Sequence, residues 1–156
     1  MNIDLSKTWI IRQIIWLIIP TFKAKPRPYL VVEIMDNWII LVIMSTSLDK
    51  IKEEEKPTQY VVVYEKPSSR YQGSYIDYNT LIIISQNDLT HLSQGVYREK
   101  RIISPFYQLN EKDFYEFQRR QKIYFQDPQH EKYLNKLIFV LSPQDKEKWI
   151  PDYLKN

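Results

Sequence analysis

Lys25-Pro26-Arg27-Pro28-Tyr29-Leu30-Val31-Val32 places a cation between two prolines at the foot of an apolar run. Proline locks its own φ and restricts the residue before it, so the backbone that carries Arg27 has little freedom. Residues 29–34 read as a strand, and Asp36-Asn37 is a turn signal. Trp38-Ile39-Ile40-Leu41-Val42-Ile43-Met44 then returns as an antiparallel partner and stops at Ser45-Thr46-Ser47. A hairpin of this kind brings Arg27 towards the hydroxyls of Thr46 and Ser47. A guanidinium beside hydroxyl donors has the makings of an anion or phosphate site.

Outward from this hairpin, the rest of the chain is mostly strand until residue 108. Ile14-Ile15-Trp16-Leu17-Ile18-Ile19, closed by Pro20, is apolar at every position and reads as a strand buried on both faces. Residues 48–57 hold Lys-Glu-Glu-Glu-Lys and read as a solvated loop or short helix. Gln59-Tyr60-Val61-Val62-Val63-Tyr64 is a further strand. Gly73 introduces Ser74-Tyr75-Ile76-Asp77-Tyr78, Leu81-Ile82-Ile83-Ile84 follows as another strand, and residues 98–103 are a short candidate. No helix long enough for repeated crossovers intervenes, so the sheet is expected to be mainly antiparallel.

The period changes in the last third. Asn110, with Asp113 three residues on, is an N-cap signal. Phe114, Phe117 and Tyr124 then recur at helical spacing to about residue 125. Asp127-Pro128 restarts a helix, with Leu134, Leu137, Ile138 and Leu141 expected on one face. Ser142-Pro143 repeats the device before Trp149. The expected fold is β-rich α+β: a small antiparallel barrel over residues 1–108 and a helical extension over 109–156 packed on it.

Composition excludes several chemistries. The 156 residues suit one domain with an appendage, and 44% hydrophobic content is enough for a core. There is no cysteine, which removes disulfides, thiolate catalysis and cysteine-ligated zinc and suits a reducing cytoplasm. Gly73 and Gly95 are the only glycines, so phosphate-cradling glycine loops and dinucleotide fingerprints are absent. Residues 9–22 fall short of the about 20 apolar residues a membrane span needs, and Arg12, Gln13 and Pro20 interrupt them. A net charge of +3 permits a nucleic-acid partner without arguing for one.

The order of motifs resembles the MazF/PemK toxin family. Arg12-Gln13-Ile14-Ile15-Trp16-Leu17-Ile18-Ile19-Pro20 is similar to that family's opening Gly-Asp strand with its Trp and closing Pro. Arg27-Pro28 before a Val-rich strand resembles the family's Arg-Pro, Thr46-Ser47 its Thr-Ser, and Ser74-Tyr75-Ile76 its later Ser motif. The resemblance spans residues 10–90. It implies an SH3-like barrel, a homodimer, a cognate antitoxin, and metal-independent, cofactor-free endoribonuclease activity on single-stranded RNA in the cytoplasm. Three positions depart from it: Arg12-Gln13 replaces Gly-Asp, the loop before Arg27 is short and basic (Lys23, Lys25), and Thr80 and Ile82 replace a Gln and an Arg. These departures bear on the cleavage chemistry more than on the fold. They keep a second reading open, a catalytically inactive module that binds RNA or protein.

On the resemblance, Arg27 would hold the scissile phosphate and Thr46 would donate to it, with Lys25, Ser47, Ser74, Tyr75 and Tyr78 contacting RNA. Each residue has a blander reading. Arg27 can be a surface cation, Thr46 and Ser47 strand-end caps, and Tyr75 and Tyr78 core or dimer packing. His91 and His130 read as solvent-facing rather than as a catalytic pair. Glu53, Glu54 and Glu55 are consecutive and cannot converge on a metal. The basic runs Arg98-Glu99-Lys100-Arg101 and Arg119-Arg120-Gln121-Lys122 read as solvated faces. Tyr71, Tyr75 and Tyr78 near Arg70 are the better surface for stacking bases. Finally, the first strand has two apolar rows and a barrel has one interior, so a second subunit is expected to cover one row.

Overall fold

The computed structural model describes residues 9–19, 26–45, 58–90, 92 and 107–139. Its centre is one sheet with strand order β1-β2-β3-β5-β4. The strands are β1 (Ile14–Leu17), β2 (Arg27–Met35), β3 (Trp38–Ser45), β4 (Gln59–Val61) and β5 (Tyr75–Ser85), all paired antiparallel. Helix α1 (Glu111–Gln126) and the single turn α2 (Pro128–Glu131) lead to β6 (Asn135–Phe139), which runs parallel to β5. The fold is therefore β-rich α+β. The sheet is open, because no pairing among the described residues joins β1 to β4. The expected closed barrel is not formed by these strands.

The hairpin forms where the turn residues place it. Met35 pairs with Trp38 across Asp36-Asn37, and Asp36 takes φ 46, a left-handed conformation that Asp tolerates better than most residues. The apolar rows then sort onto two faces. Ile14, Leu30, Val32, Ile40, Val42, Ile76, Tyr78, Leu81 and Ile83 pack beneath Phe114 and Phe117 of α1. Ile15, Leu17, Tyr29, Val31, Ile39, Leu41, Ile82 and Ile84 form a second core with Trp9 and Leu89. Ile15 and Leu17 are fully buried within one chain. This row of β1 is thus covered without a second subunit, so the burial of the strand does not by itself call for a homodimer.

Two expectations of secondary structure are corrected. Residues 75–85 form one strand, not two. Val42 pairs with Leu81 and Met44 with Ile76, so a step of two residues on β3 faces a step of five on β5. The surplus is a bulge over residues 77–80, which lets Ile76, Tyr78, Leu81 and Ile83 share one face despite the change of parity. Leu137 and Ile138 lie in β6, not on a helix face. A short apolar run cannot be told from a helix by periodicity, and β5 otherwise offers an unpaired edge from Leu81 to Ile84. The α1 crossover allows the parallel pairing. Leu141, Ser142-Pro143, Trp149 and the candidate strand at 98–103 lie outside the described residues.

The caps are as expected. Asn110 accepts from Lys112 N, and Asp127 accepts from Gln129 N with Pro128 in the first turn. Inside the N-terminus of α1, buried Asp113 accepts from Tyr60 Oη at 2.7 Å, Val63 N at 2.9 Å and Tyr64 N at 3.0 Å. These bonds turn the chain out of the sheet after Val61. That is why β4 stops at three residues and not the expected six. Arg12 holds φ 74. Its Nη1 donates to Leu109 O, its N to Val31 O, and its O accepts from Leu109 N. These bonds hold a non-glycine residue in the region glycine favours.

Candidate active site

Arg27 opens β2, where Pro28 removes a ladder donor and Trp16 faces it across the strand pair. Its Nη2 donates to Met44 O at 2.9 Å, which ties the guanidinium to the end of β3. Its Nε is buried and has no acceptor among the described residues. The side chain is half-buried and lies 6.0 Å from the centre of the Tyr29 ring. Burial holds the Arg27 pKa below its ordinary value, while Tyr29 and Asp77 offset part of that cost.

Register decides what shares this face. Tyr29 pairs with Ile43 and Ser45 with Tyr75, so Arg27 and Ser45, each two residues further along, fall in one row with Tyr75. Asp77 and its cross-strand neighbour Gln59 come next on the same face. The Asp77 carboxylate accepts from Asn79 N at 3.0 Å and from Gln59 Nε2 at 3.4 Å. Burial pushes its pKa above the ordinary carboxylate value, and the bonds from Asn79 and Thr80 and the Arg27 charge counter this in part. A half-buried cation and a half-buried carboxylate therefore lie within electrostatic reach of each other at one end of the sheet.

The structure redistributes the other expected site residues. Lys25, Thr46 and Ser47 lie outside the described residues, as does His91. Ser74 is 1% exposed. Its Oγ has no partner among the described residues, so it presents nothing to an RNA. Tyr78 stacks on Phe117 at 5.8 Å and sits 5.5 Å from Tyr124, as part of the core beneath α1. Tyr75 is on the face of Arg27 but is 7% exposed, too little for a base to stack on. Tyr71 is also buried, and its Oη accepts from Trp16 Nε1 at 2.9 Å. A strand alternates faces wherever its residues are apolar or aromatic, so the pattern alone could not say which tyrosines faced outward.

His130 is partly exposed, with 35% of its side chain accessible. Its ring stacks on Tyr124 at 4.0 Å, and its Nδ1 lies 2.8 Å from Tyr124 O. Arg119 and Arg120 both bond to Glu116 and lower its pKa to about 2. This pairing neutralises much of the basic face of α1. Glu53, Glu54, Glu55 and the run Arg98-Glu99-Lys100-Arg101 lie outside the described residues. Sequence reasoning missed Asp77, which lies on the face of Arg27, and its bonding partners Asn79 and Gln59. The available signal was Asp77 and Asn79 at alternate positions of a mostly apolar strand.

The buried phenols give a pH dependence. Burial raises the pKa of Tyr29 to about 12, and burial and neighbouring carboxylates also raise Tyr60 and Tyr107. A raised phenol favours the fold fully below its unfolded value of about 10, and this contribution is lost as pH rises through the folded value. Alkaline titration followed by tyrosinate absorbance should therefore show a group of tyrosines that ionise late and together with unfolding. Ionisation of all the tyrosines near pH 10, with the circular dichroism unchanged, contradicts this.

The class defined by fold is an α+β protein built on an open five-strand antiparallel sheet, with a parallel sixth strand beside β5. Among the described residues, no helix is long and apolar enough to cross a membrane. Comparison with family models, with curated proteins and with solved structures finds no match.

Proposed function

We propose that this protein is a metal-independent endoribonuclease that cleaves single-stranded RNA, the toxin of a toxin–antitoxin pair acting in the cytoplasm. The observation that carries the reading is Arg27, a half-buried guanidinium at the start of β2 braced on Met44 O. Cleavage through the RNA's own 2′-hydroxyl asks little of a protein beyond holding the phosphate and stabilising its developing charge. Arg27 is suited to both tasks, because its planar fork matches phosphate oxygens. Thr46 and Ser47, one and two residues beyond Ser45, are the hydroxyl donors this reading adds, with Lys25 as a phosphate contact. The resemblance implies an SH3-like barrel, and the described strands form an open sheet. The left-handed φ of Arg12 fits the resemblance, because Arg12 stands where the family carries Gly.

The test is incubation of the purified protein with mixed-sequence RNA in the presence of EDTA. Discrete fragments ending in a 2′,3′-cyclic phosphate are expected. Intact RNA alongside a folded sample overturns the reading. The departures from the family's motifs at Arg12-Gln13, Thr80 and Ile82 favour a second reading, a module that binds RNA or protein without cutting. A mobility shift with no fragments selects it. A cognate antitoxin and a second copy of the chain are the protein partners the first reading adds.

A further inference from the structure

We propose that Arg70, seated on the Trp16 ring, is a stacking platform for an unpaired base of single-stranded RNA, set apart from the phosphate site at Arg27. This rests on RNA as the ligand, the premise of the ribonuclease reading, and adds a base contact to it. The Arg70 Cζ lies over the Trp16 ring, 4.6 Å from its centroid, and 5.9 Å from that of Tyr71. Arg70 is exposed and Trp16 partly so, whereas Tyr71, Tyr75 and Tyr78 are buried. The other described arginines are engaged: Arg12 by Leu109 O, Arg27 by Met44 O, and Arg119 and Arg120 by Glu116. Arg70 makes no hydrogen bond or ion pair to any described residue.

The mount beneath Arg70 is rigid. Trp16 Nε1 donates to Tyr71 Oη at 2.9 Å, and Tyr71 N donates to Ser69 Oγ at 3.2 Å. Tyr107 Oη lies 3.1 Å from the same Ser69 Oγ and donates to Glu65 Oε2 at 2.6 Å. Asn110 N donates to Glu65 Oε1 at 2.8 Å, which ties the group to the start of α1. Ser69 N also donates to Lys66 O, and Ser74 N to Tyr71 O, so both chain neighbours of Arg70 are fixed. Glu65 is the one carboxylate between residues 64 and 74. Both its oxygens are taken by Tyr107 and Asn110, and neither holds Arg70.

An aromatic ring beneath a guanidinium orders it, and bases stack on arginine planes as they do on aromatic rings. A base that completes the stack leaves the N–H groups at the rim of Arg70 free to donate to phosphate oxygens. Ordering Arg70 before the ligand arrives removes part of the entropy cost of binding. A duplex keeps its base faces stacked on one another and offers none to Arg70. Register sets the platform beside the phosphate site: Trp16 pairs with Pro28, and Leu17 with Arg27. Side chains alternate across a sheet, so Trp16 joins the α1 face and Arg27 the opposite one. β1 is outermost in the strand order, and an RNA passing round this end of the sheet meets both.

The experiment measures binding of uncleavable 2′-O-methyl RNA in three forms of one length: a mixed-sequence single strand, the same backbone without bases, and the duplex. Wild-type protein is expected to bind the single strand more tightly than the other two. Arg70→Ala should weaken binding of the single strand by about 5–150-fold, the worth of one stacked base, and change binding of the abasic strand far less. Arg70→Lys keeps the charge without the plane and should recover little. Equal affinity of wild type and Arg70→Ala for the single strand, full recovery by Arg70→Lys, or an equal loss on the abasic strand overturns the platform. Each of these leaves cleavage at Arg27 standing. Should Arg70→Ala fail to fold, Arg70→Lys and the wild-type comparison of single and abasic strands decide it. Wild-type protein that binds no probe overturns the platform, and if it also leaves RNA intact the ribonuclease reading falls too.

Discussion

Arg27→Ala is expected to lower RNA cleavage by about 10²–10³-fold, the loss typical when one donor to a developing oxyanion is removed. The fold should survive, because Arg27 sits at the first position of β2 and its bond to Met44 O is one of many that join β2 and β3. Arg27→Lys is expected to recover little, since a point charge cannot reproduce two parallel hydrogen bonds. Single-turnover rates on one defined RNA, with circular dichroism of each variant, decide the matter. Equal rates for wild type and Arg27→Ala would remove Arg27 from the site, whatever cuts the RNA.

Asp113→Ala is expected to destabilise the protein by about 3 kcal/mol, because each polar group left unpaired on burial costs about 1–3 kcal/mol. One carboxylate serves three donors from the β4 segment: Tyr60 Oη, Val63 N and Tyr64 N. It also sits in the first turn of α1, where a negative charge meets the helix N-terminus favourably. Asp113→Asn should lose less, since its side-chain oxygen still accepts. Urea unfolding measures both variants, with the midpoint shifted and the slope unchanged. A loss below about 1 kcal/mol for Asp113→Ala, the usual worth of a single hydrogen bond, would show that the three donors find water instead.

Much of the local structure was legible because local chemistry dictates it. Asp36-Asn37 specifies a tight turn, Asn110 and Asp127 cap helices with their own side chains, and Pro128 fits a first helical turn wherever it occurs. The strands at 14–17, 27–35 and 38–45 follow from β-branched runs bounded by proline or turn residues. Asp113 was read as a cap signal at the start of a helix. Its larger role, stitching α1 to the turn after β4, joins residues about 50 positions apart and leaves no local mark.

The candidate site divides along the same line. Arg27 was legible because two prolines single it out from the other cations. Motif order points to Ser74, and the tyrosines near Arg70 point to Tyr78, as RNA contacts; the packing of α1 across that face buries Tyr78 against Phe117, the core reading that the sequence also left open. The sequence by itself determined the hairpin, the helix caps, the absence of cysteine chemistry and the rigid base of Arg27. Each of these depends on residues close together in the chain. Only the tertiary structure decided that both faces of the first strand are buried within one chain, that residues 135–139 pair with β5, and that Asp77 shares a face with Arg27. Those outcomes depend on strand register and on a bulge. Because side chains alternate faces with a period of two, one extra residue moves every following side chain to the other face.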